Sequence, residues 1–283
     1  MPGLEIKGPG ISTLRKMRCA KQGMIWLSLL RRSGTNLRTA GWGAAIFVNQ
    51  TMGKHKRDEK MHIGLIGGIG PAATEFYYRK LAKAYSAANR VMDLTIVNAD
   101  TPTLLNNLNK DARLEQAQIF LGFVERLQAA GADFAVVTSL AGHFCIDELE
   151  RISPLPILNA IPVLDKFFAK QGLSRIGLLG TQAVLQSRLY GGVQSVDIVA
   201  PTGADLERTH DHYVDMATAG SATDVHRKFF TTLGQRLCSE QGADAIALAG
   251  TDLFLVFDGS EFGFPVIDCA QVHIDAIISK SMG

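Results

Sequence analysis

Residues 63–68 read IGLIGG, and residues 176–181, which lie 113 positions later, read IGLLGT. A second pair recurs at nearly the same offset, GADFAVVTS at 131–139 and GADAIALAG at 242–250. Around these segments, short apolar runs alternate with amphipathic stretches of helical length, which indicates βαβ units and a parallel sheet. The sequence therefore predicts an α/β protein of two duplicated, pseudo-symmetric parallel-sheet domains, with an active-site cleft between them.

The predicted domains divide the chain into three parts. The first α/β domain comprises residues 61–160 together with 265–283, because the first half otherwise lacks a terminal helix, and the second comprises residues 161–264. Residues 1–60 are rich in glycine and arginine and show no sustained hydrophobic period. We interpret them as a basic N-terminal extension that is disordered or non-native. A targeting peptide and a small functional extension are the alternatives.

Charge is unevenly distributed along the chain. The formal net charge is +2, but residues 1–60 hold twelve Lys/Arg and only three acidic residues. Residues 61–283 hold 17 Lys/Arg and 24 acidic residues and are therefore net acidic. A basic balance that is confined to the first segment does not indicate a nucleic-acid partner for the body of the protein.

Composition also limits the cellular location and the type of site that the sequence allows. No apolar run approaches the roughly 20 residues that span a bilayer, so no membrane partner is expected. Four scattered cysteines show no CxxC or Cys/His ligand spacing, which predicts a reduced, cytoplasmic protein without a zinc site. His210 and His212 are two positions apart, whereas residues on one helical face are three or four apart. They are therefore not expected to form a metal site.

Parallel sheets bind ligands beyond the carboxyl ends of their strands. The predicted strand ends carry Ser139 in the first half and Gly250 and Thr251 in the second, and Thr181 ends the second copy of the first repeat. A duplicated pair of strand ends therefore indicates a crevice with one chemical group supplied from each wall.

The turn GGIGP at 67–71 leads from the first predicted strand into a helix. Backbone N–H groups of such a turn can hold an anion, so Gly68, Ile69 and Gly70 are candidates for binding a substrate carboxylate. A dinucleotide fingerprint would need a further glycine where Ala73 stands, so a nucleotide is disfavoured. The alternative is a tight turn that needs glycine for backbone reasons alone.

Four segments resemble motifs of the aspartate/glutamate racemase family, the cofactor-independent amino-acid racemases, in order and spacing. They are GLIGGIGPAATEFYYRKL at 64–81, GADFAVVTSLAGHF at 131–144, GADAIALAGTDL at 242–253 and FPVIDCAQVHIDAI at 264–277. In the last segment, Asp268 and His273 match family positions. The resemblance covers residues 61–283. It implies two duplicated α/β halves, a homodimer, and proton transfer at the α-carbon of an amino acid without cofactor or metal.

The first of the two thiols that the resemblance implies is absent. Family members place one thiol on each face of the substrate, because a thiolate is accessible near neutral pH. Counted back from His143, the first thiol falls on Ser139, and the family's Asn-Thr falls on Leu140 and Ala141. Serine is a far weaker acid and needs an adjacent base. Either His143 activates Ser139, or Ser139 only hydrogen-bonds the ligand while His143 caps or packs. Cys145 is either a displaced thiol or a small buried hydrophobe.

The second thiol is absent as well. It falls on Gly250, which has no side chain that could transfer a proton, while Thr251 and Asp252 match the Thr-Glu that follows it in the family. Asp252 could replace the thiol as the acid/base of that face. The alternative is a structural carboxylate, or one that binds the substrate ammonium. These residues exclude a symmetric two-thiol racemase.

We therefore expect a racemase-like isomerase that acts on a small amino acid or carboxylate, with catalytic residues Ser139, His143, Thr251 and Asp252. The expected substrate-binding residues are Gly68, Ile69, Gly70, Leu140, Ala141, Thr181 and Gly250. A lyase or decarboxylase that protonates from one side is one alternative, and a catalytically silent carboxylate-binding protein is another. Aspartate-specific family members place an arginine where Leu104 stands, which disfavours an acidic substrate.

Overall fold

The repeated segments form the central strands of two parallel β-sheets. The computed structural model describes residues 61–68, 70–259 and 261–283, and the predicted N-terminal extension, residues 1–60, lies outside them. The first sheet has the order β2-β1-β3 and the second the order β5-β4-β6-β7. The strands are β1 (His62–Gly67), β2 (Asp93–Asn98), β3 (Phe134–Val137), β4 (Arg175–Leu179), β5 (Asp197–Val199), β6 (Ala245–Leu248) and β7 (Val266–Asp268). This architecture confirms the predicted α/β fold.

Helices connect the strands and cover both faces of each sheet. They are α1 (Pro71–Ala87), α2 (Thr101–Asn109), α3 (Arg113–Ala129), α4 (Ile146–Ile152), α5 (Ala160–Gln171), α6 (Gln182–Ser187), α7 (Ala204–Ala219), α8 (Asp224–Gln241) and α9 (Cys269–Met282). Successive side chains of a strand point to opposite faces. Accordingly, Ile63 and Leu65 of β1 pack with α1 and α9, whereas Ile66 packs with α3.

The two halves repeat each other in strand register. Ile63 pairs with Phe134 in the first sheet, and Ile176 pairs with Ala245 in the second. These four positions are the ones that the sequence repeats relate, at offsets of 113 and 111. Because the strand ends are equivalent, Ser139 and Gly250 follow β3 and β6 at matching places.

The fourth strand of the second sheet comes from residues that the sequence assigns to the first domain. β7 pairs with β6 in the second sheet, with Ile246 opposite Val266, whereas residues 265–267 were expected to return to the first half. The first sheet fills its equivalent position with Ile157, which forms a single parallel bridge to Ala135. Hydrophobic patterning cannot tell which sheet a short buried strand joins, and the pairing follows the duplication.

The helix that follows Ile157, α5, and the helix that follows β7, α9, each pack against the sheet of the other half. α9 packs Ile274 and Ile277 against the first sheet, and α5 packs Leu164 and Phe168 against the second. Each such buried side chain contributes roughly 1.5–3 kcal/mol relative to exposure. Each half therefore contributes a helix to the core of the other. No helix of the described residues is long and apolar enough to cross a membrane.

Candidate active site

The carboxyl ends of the two sheets meet at a junction between the loop after β1 and the segment after β6. A Cβ atom added to Gly70 would lie 3.2 Å from Oδ2 of Asp252, so the first-half turn contacts the second-half carboxylate directly. Leu140, next to Ser139, belongs to the same packed cluster as Ala249, next to Gly250. The turn after β1 and the segment after β6 therefore adjoin, and the residues next to Ser139 and Gly250 share one apolar cluster.

The glycine turn is largely satisfied by its own surroundings. Gly68 has a φ of +86°, a conformation that favours glycine. Its N–H donates to Oγ1 of Thr74 at 2.8 Å, and its carbonyl accepts from the hydroxyl of Thr101. Neither group is free for a ligand, so the tight-turn alternative describes Gly68. Gly70 remains in contact with the junction, and Ile69 lies outside the described residues.

On the first wall, His143 binds the main chain of Ser139 and not its hydroxyl. Nδ1 of His143 donates to the carbonyl oxygen of Ser139 at 2.7 Å, and Nε2 accepts from the N–H of Ala160 at 3.2 Å. These partners fix the neutral Nδ1-protonated imidazole. Burial lowers the pKa of His143 to about 4. Within the described residues, the Ser139 hydroxyl forms no hydrogen bond and therefore has no base.

A second buried histidine extends this support. His273, which matches a family position, accepts from the hydroxyl of Tyr77 at Nδ1 and donates from Nε2 to the carbonyl of Leu158. Its ring lies 6.1 Å from that of His143, edge to face. Burial, followed by the neighbouring His143, lowers the pKa of His273 to about 3. Both imidazoles are therefore neutral structural groups under the first wall.

Asp268, the other residue that matches a family position, caps α9. Its Oδ1 accepts from the N–H groups of Ala270 and Gln271 at 2.9 and 3.2 Å. An acidic N-cap satisfies helix donors that would otherwise lack partners. Asp268 therefore starts the helix that crosses back to the first sheet.

On the second wall, the ring of Tyr213 occupies the space beside Gly250. A Cβ atom on Gly250 would lie 2.3 Å from Cε2 and 2.9 Å from Cζ of that ring. On the other side, a Cβ atom on Gly180 would lie 2.9 Å from the carbonyl carbon of Ala249. The end of β6 therefore admits no side chain at position 250 while Tyr213 keeps its place.

Asp252 is the buried charged group of this wall, with 3% of its surface exposed. Its Oδ2 accepts from the hydroxyl of Tyr213 at 2.8 Å, while its Oδ1 is buried without a partner. Burial raises the pKa of Asp252, and the Tyr213 hydrogen bond opposes that rise. Burial and then the charge of Asp252 hold the pKa of Tyr213 well above its usual range, so the phenol keeps its proton and donates.

Two further buried polar atoms in the second half lack partners. They are Oγ1 of Thr181, at the start of α6, and Nδ1 of His210, on α7. His210 precedes Tyr213 by three positions, so both lie on one face of α7. Buried polar groups normally find hydrogen bonds. Glu148 of the first half also has a buried carboxylate oxygen without a partner, and of these four residues Asp252 is the one shown to lie beside the Gly70 turn.

The sequence did not indicate Tyr213, and it suggested His210 only as a partner of His212 in a metal site that was not expected to form. The available signal was the spacing of three between them on α7, since no motif marks either residue. Among the described residues, no group of three or more His, Cys, Asp or Glu side chains could hold a metal ion. Thr251 is buried beside Asp252.

Three other residues singled out in the sequence, Cys145, Leu104 and Ala141, have structural surroundings. Burial raises the pKa of Cys145 to about 12, so the buried-hydrophobe alternative describes it. Leu104 is fully buried in the first-half core and not at the cleft. Ala141 contributes its carbonyl oxygen, which accepts from the hydroxyl of Tyr190 in the second half at 3.2 Å. A cavity of about 500 Å³ includes Asp268 in its lining but not Ser139, Gly250, Thr251 or Asp252.

Comparison with known proteins agrees with this architecture. The profile of a family described as Asp/Glu/hydantoin racemase matches residues 66–277. A proposed Asp/Glu racemase from Yersinia pestis is 23% identical with a TM-score of 0.70, covering 79% of this chain and all of that one. An aspartate racemase homologue from Pyrococcus horikoshii OT3 is 20% identical, with a TM-score of 0.65 and coverage of 78% and 99%.

A more distant likeness extends to a glutamate racemase from Francisella tularensis, solved in complex with D-glutamate. It is 14% identical to this chain, with a TM-score of 0.55, and the match covers 78% of this chain and 80% of that one. At such identities a structural likeness shows a shared fold.

Proposed function

Since this chain belongs to the Asp/Glu/hydantoin racemase family, we propose that it is an isomerase that moves a proton at the α-carbon of a small amino acid. The site is the junction of the two sheets, with Ser139 on one wall and Asp252 on the other. The family resemblance implies chemistry without pyridoxal phosphate. A homodimer stays a prediction of the same resemblance, and a cytoplasmic location stays a prediction from the scattered cysteines.

The observation that carries the proposal is the buried, unpartnered Oδ1 of Asp252. A buried acceptor without a donor costs about 1–3 kcal/mol, and a ligand that enters the junction supplies the missing partner. A carboxyl whose pKa is raised by burial is also closer to neutral pH, where acid/base catalysis is most efficient. Both features favour Asp252 as the group that exchanges a proton with substrate.

In the proposed step, the carboxylate Oδ1 takes the α-proton of the substrate. The C–H bond breaks, its electron pair stays on the substrate as an enolate-like carbanion, and an O–H bond forms on Asp252. A water molecule on the opposite face then protonates the carbanion, its O–H bond breaks, and the hydroxide that it leaves is neutralised by the proton that Asp252 gives back to solvent, which completes the inversion. The hydroxyls of Ser139, Thr181 and Thr251 are the groups proposed to hold the substrate carboxylate and the developing charge.

A neutral amino acid fits this site better than an acidic one. The pKa shift of Asp252 comes from burial and hydrogen bonds, and no Lys or Arg contributes to it. Leu104, which stands where aspartate-specific family members place an arginine, is buried in the core. A second carboxylate in the substrate would therefore lie near Asp252 without a compensating cation.

The rival function is a lyase or decarboxylase that protonates from one side. It is favoured by one observation: His143 is bound to main-chain groups and leaves the Ser139 hydroxyl without a base. One acid/base group can exchange a proton or replace a leaving group with retention, but it cannot readily invert a centre. A silent carboxylate-binding protein is the third candidate, since both thiols are missing.

Deuterium exchange separates these functions. A panel of L- and D-amino acids is incubated with the protein in D₂O, and α-deuterium and enantiomer ratio are measured by NMR and chiral chromatography. We expect exchange with inversion for at least one neutral amino acid, and a loss of about 100-fold or more in Asp252→Asn. Asp224→Asn, at an exposed position, is the matched control.

The other outcomes each favour a different candidate. Exchange with full retention supports the one-sided enzyme. Saturable binding without exchange supports the silent binding protein. Neither exchange nor binding across the panel, or full activity in Asp252→Asn, overturns the proposal.

A further inference from the structure

We infer that Tyr213 is a positioning residue that substitutes, together with Asp252, for the missing thiol of the second wall. The ring of Tyr213 fills the volume that a side chain at position 250 would need. Its hydroxyl holds one oxygen of Asp252, so that the other oxygen is the one offered to substrate. This inference rests on the proposed function and assigns a role within that same site.

The steric part follows from the distances around Gly250. Three carbons of the Tyr213 ring lie 2.3, 2.9 and 3.1 Å from the position of a Cβ atom on Gly250. Contacts below 3.0 Å are not tolerated by real Cβ atoms. A thiol at position 250 and the Tyr213 ring therefore exclude each other.

The role of the Tyr213 hydroxyl follows from a difference between the two carboxylate oxygens of Asp252, of which only one is hydrogen-bonded. Oδ2 of Asp252 is held by the Tyr213 hydroxyl at 2.8 Å, whereas Oδ1 has no hydrogen-bond partner. Both oxygens lie beside Gly70, at 3.2 and 3.5 Å from the position of an added Cβ atom. This hydrogen bond favours one orientation of the carboxylate, in which the oxygen at the Oδ1 position is the one without a partner. Tyr213 therefore selects Oδ1 as the atom that gains the proton when the substrate C–H bond breaks. The phenolic O–H bond stays intact throughout.

Tyr213 also sets the acidity of its partner. It is the only titratable side chain of the described residues that contributes to the Asp252 pKa, which burial raises and the phenol lowers. The turn at Gly70 brings no ionisable group, and Thr251 brings only a hydroxyl. Removal of the Tyr213 hydroxyl should therefore shift the titration of Asp252 upward.

The first experiment removes the hydroxyl and keeps the ring. In Tyr213→Phe, the carboxyl titration of Asp252 is followed by infrared or ¹³C NMR difference against Asp252→Asn. We expect its midpoint to move upward, and the pH profile of kcat to move the same way. At neutral pH, kcat should fall about tenfold with a smaller change in KM.

Tyr85→Phe is the matched control, because Tyr85 is also buried and its hydroxyl donates to Ser281 at 2.7 Å, away from the junction. It should leave the Asp252 midpoint and the kcat profile where they are. An unmoved Asp252 midpoint in Tyr213→Phe overturns the inference. The carboxyl titration requires no turnover, so this result is distinct from a failure of the proposed function.

The second experiment tests the steric exclusion by a double-mutant cycle. Gly250→Ala in the parent should lower Tm by about 5 °C or more, since the added carbon meets the ring. In a Tyr213→Ala background the same change should cost far less. If Gly250→Ala lowers Tm equally in both backgrounds, Tyr213 does not occupy that volume and the inference fails.

Discussion

The imidazole of His143 donates to the main-chain carbonyl of Ser139, 2.7 Å away, and so supports the backbone of Ser139 instead of activating its hydroxyl. Its other nitrogen accepts from the N–H of Ala160. A histidine that is occupied at both nitrogens and buried cannot serve as a base for the neighbouring hydroxyl. The first wall of the junction is therefore a rigid hydrogen-bonding surface.

Ser139→Ala tests this view of the first wall. Loss of one hydrogen bond to a charged group costs about 1.5–3 kcal/mol, so kcat/KM should fall roughly 10- to 100-fold. Its pH profile should keep its shape, because no histidine is coupled to the hydroxyl. The comparison variant is Ser279→Ala, exposed on α9. If the pH profile of kcat/KM instead lost its acidic limb, and the rate fell far more, His143 would be shown to activate Ser139. Parental activity would remove Ser139 from the site.

Gly70→Ala tests the contact between the halves. Gly70 has a φ of +83°, and an added Cβ would lie 3.2 Å from Oδ2 of Asp252, so alanine strains the turn and pushes on the carboxylate. We expect turnover to fall about tenfold or more at temperatures where the variant is folded. Gly172→Ala is the control, since its φ is +69° and nothing lies within 4 Å. It should lose stability but not activity, and an equal loss of activity in both would refute the contact.

The repeats predicted both sheets because strand pairing follows local apolar segments, and the duplicated segments carry that information directly. The expected return of residues 265–283 to the first half rests on that half's missing terminal helix, and α9 packs there, but the pattern could not tell that the strand before it joins the second sheet. The wall residues after β3 and β6 could be named because parallel strand ends are where ligands bind.

Tyr213 could not be predicted in the same way. Its position depends on empty space beside Gly250, which lies 37 positions away in sequence, and neither residue belongs to a motif that includes the other. Likewise, the spacing of four from Ser139 to His143 is compatible with a contact to either the hydroxyl or the carbonyl. Only the coordinates distinguish a catalytic from a supporting histidine.

Leu104→Arg tests whether the position of the family arginine can be restored. Leu104 is fully buried among apolar side chains, so an arginine there is an unpaired buried charge. We expect a loss of more than about 3 kcal/mol in the free energy of unfolding, without new activity on aspartate. Leu105→Arg, at the adjacent position with 44% exposure, should change stability little. Urea denaturation measures both, and a stable Leu104→Arg protein that acts on aspartate contradicts the prediction.

The paired histidines under the first wall predict sensitivity to acid. His143 and His273 have folded pKa values of about 4 and about 3, below the value of about 6.5 in an unfolded chain. The unfolded state therefore binds more protons as pH falls below about 6.5, and stability is lost from there toward pH 4 and then pH 3. Each histidine adds up to about 1.4 kcal/mol per pH unit to this slope.

Variants isolate that contribution from the buried carboxyls, whose raised pKa values act in the opposite direction. His273→Gln should flatten the fall in the free energy of unfolding between pH 6.5 and 4, measured by urea denaturation. Tyr77→Phe removes the hydrogen bond to the same imidazole but no group that titrates in this range. It should lower stability at every pH and leave the slope in place. A parental slope in His273→Gln would show that this imidazole is not buried in its neutral form.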